Sequence, residues 1–155
     1  MSKNNKVVTC GIALRVCSRD LHHYSAKEVV LEHIKVAATL GGKVCYSTNL
    51  PQNERKRKLI EEIILFYEEN DEIHYAKAEV LFTDGIDMEI IRDKYEPKAF
   101  VKEERRTIYF LNNLRLIQEK DLNGYVYQSS KTMEILDLVD ELQKKRFTKC
   151  YYGIL

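Results

Sequence analysis

Apolar and polar positions alternate or recur along the chain in a pattern that changes period several times. Residues 7–16 are rich in β-branched and apolar side chains (Val7, Val8, Ile12, Leu14, Val16) and predict a first strand, stopped by Ser18-Arg19-Asp20. Residues 26–40 predict a helix: Val30, Ile34, Ala37 and Leu40 recur near helical spacing, Ser25 stands at the N-cap and Gly41-Gly42 end it. In residues 43–47, Val44 and Tyr46 alternate against Lys43 and Cys45, which predicts a short strand broken by Asn49-Leu50-Pro51. Leu59, Ile60, Ile63, Ile64 and Tyr67 satisfy both periods; the reading adopted is a basic helical turn at 53–58, then a strand at 63–67. A polar turn at 68–71 leads into a long strand at 73–83. It turns Tyr75, Lys77, Glu79 and Leu81 one way and His74, Ala76, Ala78, Val80 and Phe82 the other. Asp84-Gly85 stops it, and residues 87–95 predict a short helix. Residues 107–117 predict a strand with an irregularity at Asn112-Asn113. Residues 129–146 predict the clearest helix: Ser129 or Ser130 caps it, Met133, Leu136, Val139 and Leu142 form its stripe, and Lys144-Lys145-Arg146 suit its negative end. Residues 147–155 predict a last strand.

Helices towards the ends and consecutive strands between them define an α+β chain with a curved, mostly antiparallel sheet, expected to form a small closed or nearly closed barrel that hides its edges. The 155 residues, without repeats or low-complexity tracts, read as a single domain over 1–155. No apolar run reaches the roughly 20 residues of a membrane span, and the first residues lack the pattern of a cleaved secretory signal. Cys10, Cys17, Cys45 and Cys150 contain no C-x-x-C pair, and His22, His23, His33 and His74 form no zinc spacing. The expectation is free thiols in a reducing cytoplasm, with no metal and no cofactor. Phosphate-binding glycine loops and nucleophile elbows are missing too. Asp20 near His22-His23, and Glu79 near His74, are juxtapositions that any charged chain produces, so a non-enzymatic protein is expected. The net charge of +1 argues against a uniformly basic nucleic-acid coat, but it is uneven: +4, −5 and +2 over residues 1–50, 51–100 and 101–155.

Three stretches occur in succession: Gly42-Lys43-Val44-Cys45-Tyr46-Ser47-Thr48-Asn49, then Leu65-Phe66-Tyr67, then Ile73-His74-Tyr75-Ala76-Lys77-Ala78-Glu79-Val80. The succession resembles the PUA-like superfamily, within it the EVE and YTH-like branch. There a glycine-led strand ends in an aromatic-polar-polar-Asn loop and a strand reading roughly I-x-x-x-A-E-V follows. Residues 107–117 resemble a later barrel strand of that fold. The resemblance implies a PUA-like (EVE-like) domain that binds nucleic acid, DNA or RNA, and holds a modified base, flipped out of its strand, in an aromatic pocket. It also implies a protein partner in a larger system.

The residues suit such a pocket. Tyr46 closes a strand and precedes Ser47, Thr48 and Asn49, short polar side chains able to read a base edge. Tyr67 and Tyr75 flank the polar turn and are expected to meet across a hairpin. With ten tyrosines and no tryptophan, an aromatic wall falls to tyrosine. The run Arg55, Lys56, Arg57 and Lys58 is the densest positive charge and is expected to clamp phosphates. Lys102 with Arg105-Arg106, interleaved with Glu103-Glu104, is a weaker basic run. The same residues also fit a plainer structure, with Tyr46 in the core, Tyr67 and Tyr75 as an ordinary cross-strand pair, and the basic run on a solvated helix face balanced by Glu54, Glu61 and Glu62. Two functions from other classes remain beside base recognition: a protein-interaction or regulatory subunit that keeps the barrel without a pocket, and an enzyme acting on a nucleotide or small molecule.

Overall fold

The computed structural model describes residues 6–19, 23–83, 88–101, 103, 105, 107–145 and 147–155. Its strands are β1 (Gly11–Arg15), β2 (Lys43–Thr48), β3 (Glu62–Glu69), β4 (Glu72–Thr83), β5 (Thr107–Ile117), β6 (Tyr125–Gln128), β7 (Ile135–Asp137) and β8 (Lys149–Ile154). The helices are α1 (Ala26–Thr39), α2 (Glu54–Arg57), α3 (Met88–Tyr95) and α4 (Leu138–Lys145). The fold is α+β: eight strands form one sheet in the order β2-β5-β4-β3-β1-β8-β6-β7. The β1–β3 pair is parallel and the other neighbours are antiparallel.

The expected barrel closure is not found among the described residues. The strand order has two ends, β2 and β7, and no pairing joins them. The sheet nevertheless curls. Val44 and Tyr46 of β2 share one buried cluster with Ile12 and Leu14 of β1, four places away in the order. Helix α1 packs on β2, β3 and β5 within that curl.

Local chemistry explains these elements. A capping box starts α1: Glu28 N donates to Ser25 Oγ (3.1 Å) and Ser25 N donates to Glu28 Oε1 (3.0 Å). Gly41 and Gly42 take φ of +68° and +91° just past its end, a conformation in which side chains are strained. The β3–β4 hairpin turns at Asn70 and Asp71, whose φ of 53° and 64° match the left-handed pair of a two-residue turn. Asn113 also has positive φ (59°), and β4 shifts register against β5 between Lys77 and Glu79 and between Val80 and Phe82, so the expected irregularity is spread over both strands.

On the other sheet face, Ala13, Ile64, Phe66, Tyr75 and Tyr152 pack under Leu138, Val139 and Leu142 of α4 and under Leu122 from a 3₁₀ turn at Glu119–Leu122. That 3₁₀ turn, β6 and β7 are additions to the predicted elements. The helix expected at 129–146 is corrected. Ser129 Oγ accepts from Lys131 N and Thr132 N, both at 3.3 Å, and Met133 has φ of 61°, so the chain turns here. Residues Ile135–Asp137 then pair with β6, and Asp137 Oδ2 accepts Asp140 N (3.0 Å) to cap the shorter helix. Met133, expected in the apolar stripe, is 53% exposed. The stop at Asp84-Gly85, the start of the helix at Asp87, and Arg146 lie outside the described residues. The predicted first strand shortens to Gly11–Arg15.

All four cysteines are free thiols, and burial pushes Cys150 up to about 12 and Cys45 upward as well. No helix among the described residues is long and apolar enough to cross a membrane.

His33 is the most deeply buried titratable group of α1. Its Nδ1 bonds Val29 O (2.7 Å), and its ring lies 5.1 Å from Tyr46 and 5.7 Å from Phe100. Burial holds its pKa down at about 4 against an ordinary 6.5, so the unfolded chain binds the extra proton between those values. Stability from this group is therefore complete above pH 6.5 and falls by about 3 kcal/mol as pH drops to 4. Urea unfolding of wild type and His33→Phe across pH 4–7 checks this: the variant should lose most of the slope.

Candidate functional site

The C-terminal ends of β1 and β2, with the segments that follow them, converge on a cavity of about 240 Å³. Its walls are Arg15, Cys17, Ser18 and Arg19 from the first, Tyr46, Ser47, Thr48, Asn49 and Leu50 from the second, with Arg105 and Thr148. The volume lies below the roughly 300–1,000 Å³ of sites for drug-sized ligands, on the scale of a single ring system with substituents. Arg19 ties the two segments together. Its Nη2 donates to Ser47 O (3.1 Å), its Nη1 pairs with Glu103, and its guanidinium carbon sits 4.5 Å from the Phe100 ring centre.

Four of the expected site residues thus meet at one place, though with different freedoms. Tyr46 is only 4% exposed, and burial pushes its hydroxyl up to about 12, so its ring is as much core as wall. Ser47 is fully buried and its hydroxyl is committed: Oγ donates to Glu96 Oε2 (2.9 Å) and accepts from Arg92 Nη2 (3.4 Å). Thr48 Oγ1 accepts Leu50 N (3.2 Å), which shapes the loop. Asn49 is exposed on the cavity rim.

Behind Ser47 stands a polar network that sequence reasoning missed. Arg92 and Glu96, one turn apart and both buried, pair through two contacts, Nε–Oε1 at 2.6 Å and Nη2–Oε2 at 3.0 Å. Arg92 Nη2 also donates to Phe100 O (3.2 Å), so the network fixes Ser47 and the segment after α3 together. The hydrogen bonds that Arg92 donates to the Glu96 carboxylate raise its already high pKa. The i, i+4 spacing of Arg92 and Glu96 was the available signal.

Three arginines line the cavity, and two of them, Arg19 and Arg105, share the Glu103 carboxylate. Arg15 Nε donates to Phe147 O (3.2 Å) and Arg105 Nη2 to Glu103 Oε2 (2.7 Å), which hold both guanidinium groups in place. Arg15 Nη2 and Arg105 Nε are buried and have no hydrogen-bond partner among the described residues. The residues Arg15 and Arg105 both line the cavity, so an anionic group entering it meets two positive charges. Arg105 belongs to the weaker basic run of the sequence; Lys102, Glu104 and Arg106 of that run lie outside the described residues, as do Asp20 and His22.

Tyr67 and Tyr75 do not join this cavity. The β3–β4 register sets Tyr67 opposite His74 and Phe66 opposite Tyr75, so the two tyrosines point to opposite faces and belong to different core clusters. Tyr67 stacks on His74 (5.3 Å) instead. An odd offset across a two-residue turn produces this, because side chains alternate with period two.

The basic run forms α2. Asn53 Oδ1 caps it, accepting Arg55 N (2.9 Å) and Lys56 N (3.2 Å). Arg55 and Lys58 are exposed, Arg57 is half-buried, and Lys56 Nζ lies 4.8 Å from the Tyr151 ring centre. Another cavity, of about 590 Å³, is lined by Glu68, Asp71, Glu72, Ile73, Glu119 and Gln143, and its charge repels a polyanion. Of the acid–base candidates, Glu79 accepts Asn112 Nδ2 (3.1 Å) while His74 stacks on Tyr67. No cluster of three or more His, Cys, Asp or Glu side chains suited to a metal ion occurs among the described residues. No family model, curated protein or solved structure matches the chain.

Proposed function

We propose that this chain is a non-enzymatic, PUA-like (EVE-like) nucleic-acid-binding module that takes one flipped, modified base into the cavity beside Tyr46. A single observation carries the reading: the 240 Å³ cavity combines an aromatic wall, short polar side chains and the cationic side chains of Arg15 and Arg105. A nucleotide supplies the complement of all three, a π face, a polar edge and an anionic phosphate. In this reading Tyr46 packs on the base, and Thr48, Asn49 and Ser18 meet its edge. Arg15 and Arg105 take the neighbouring phosphate, and α2 adds longer-range attraction for the strand.

The test is a titration with matched modified and unmodified oligonucleotides, as DNA and as RNA, at several salt concentrations. Asn49→Ala should lower affinity for the modified ligand by about 5–100-fold and leave the unmodified ligand within about twofold. Replacing Arg55, Lys56, Arg57 and Lys58 by alanine should weaken both ligands equally. It should also flatten the salt slope by about 0.7 for each phosphate that is no longer neutralised. If wild type binds no DNA or RNA at low salt, a protein-interaction subunit becomes the reading instead.

A further inference from the structure

We propose that a second nucleotide binds in the groove between β8, β6 and α2, so that the ligand is an unpaired polynucleotide strand running from the Tyr46 cavity across Thr148. The proposal rests on the base-binding reading above.

The groove is a separate cavity of about 340 Å³, lined among others by Lys56, Tyr127, Ser129, Phe147, Lys149 and Tyr151. Two of its features suit a nucleotide. The first is cationic: Lys56 Nζ and Lys149 Nζ lie 4.8 Å and 5.6 Å from the centre of the same Tyr151 ring. Neither ammonium forms an ion pair among the described residues. Burial and the nearby Lys56 charge lower the pKa of Lys149, as expected of two cations held together without a counter-ion. A phosphate between them removes that repulsion. The second is aromatic: the half-buried Tyr127 and Phe147 rings lie 5.3 Å apart and offer a surface on which a base of any sequence stacks.

The two cavities are adjacent. Thr148 lines the first, and its chain neighbours Phe147 and Lys149 line the second. On the facing segment Leu50 lines the first cavity, Lys149 Nζ donates to Pro51 O (2.7 Å) and Asn53 N donates to Tyr151 Oη (2.8 Å). The wall between them is thus two short pieces of chain, residues 49–53 and 147–149, and a strand leaving the first cavity needs to cross only Thr148. In a duplex the nucleotide next to a flipped base stays stacked and paired, so filling both cavities requires an unpaired strand.

The experiment titrates the full chain at low salt with a nucleoside 5′-monophosphate, the corresponding dinucleotide, a single-stranded tetranucleotide and a duplex of the same sequence. Lys56→Gln combined with Lys149→Gln is compared with wild type, and Lys149→Arg serves as the charge-conserving control. The expected result is a gain of about 5–150-fold from mononucleotide to dinucleotide for wild type. Most of that gain, read in each protein as the ratio of dinucleotide to mononucleotide affinity so that the general attraction of α2 cancels, should disappear in the double glutamine variant and survive in Lys149→Arg. Mononucleotide binding without a gain on lengthening overturns the second site and leaves the first standing. A gain that the lysine variants do not alter, or a duplex bound as tightly as the single strand, also overturns it. Failure of wild type to bind any of the ligands overturns both readings. The comparison of ligand lengths on wild type alone decides the matter if the double variant folds poorly.

Discussion

Arg92→Ala should destabilise the protein by about 3–5 kcal/mol, because it leaves the Glu96 carboxylate buried without its charge partner. For a chain of this size that corresponds to a melting temperature lower by about 6–20 °C. The loss goes beyond the pair. Arg92 also donates to Phe100 O and to Ser47 Oγ, and Phe100 packs fully buried in the core within the α1 curl. Removing both charges is a different experiment. Arg92→Met with Glu96→Leu exchanges the pair for apolar side chains of similar reach, and buried ion pairs replaced this way are often neutral or better. The double variant should therefore regain most of the stability that the single change loses. Urea or thermal unfolding of the two variants and wild type measures the difference directly.

Arg15→Gln combined with Arg105→Gln should reduce oligonucleotide affinity by about 3–6 kcal/mol, since hydrogen bonds to charged groups contribute roughly 1.5–3 kcal/mol each. This is the largest binding effect the site supports, larger than expected for the α2 run, whose Arg55 and Lys58 are exposed and whose attraction for phosphates would be screened by salt. The two guanidinium groups are anchored to Phe147 O and to Glu103 by other nitrogens, so they are fixed before a ligand arrives. The salt slope should fall with the affinity, and the effect should be shared by modified and unmodified ligands, because a phosphate carries no sequence information. Unfolding curves of the same variants separate loss of binding from loss of fold.

The elements legible in the sequence are those whose signals are local. The capping box at Ser25 and Glu28, the Gly41-Gly42 stop and the alternation along β4 each reside within a few residues, and each marks an observed boundary or face. The stretch from Ser129 to Lys145 misleads for the opposite reason. Met133, Leu136, Val139 and Leu142 recur every three residues, yet the stripe ignores a turn set by the Ser129 hydroxyl and by Met133 at positive φ. β6 escapes a reading of the sequence because four residues, Tyr125–Gln128, are too short to show a period, and β8, one of its partners, is distant in the chain.

The candidate site is half legible. Tyr46 to Asn49 form one contiguous stretch from the end of β2 into the loop after it, and the fold keeps them together. Arg15, Arg19 and Arg105 could not be assigned to it from sequence, because they are joined to that loop only by the curl of the sheet and by the Arg19 link to Ser47 O. Ser47 illustrates the limit in reverse. A serine after an aromatic suggests an exposed hydroxyl, whereas its side chain is spent on Glu96.

The central claim is that the cavity between Arg15, Tyr46 and Arg105 receives a nucleotide. The most direct measurement follows the arginine Nε–H and backbone amide signals of the ¹⁵N-labelled chain by NMR during titration with a single-stranded oligonucleotide carrying a modified base. The predicted result is a saturable shift of the Arg105 Nε–H signal, which has no acceptor among the described residues, together with the amides of Ser18, Asn49 and Thr148. The amides around the acidic cavity at Glu68, Asp71 and Glu72 should stay in place. No saturable shift of Arg105, Ser18 or Asn49 at low salt, or shifts confined to other surfaces, would contradict the account.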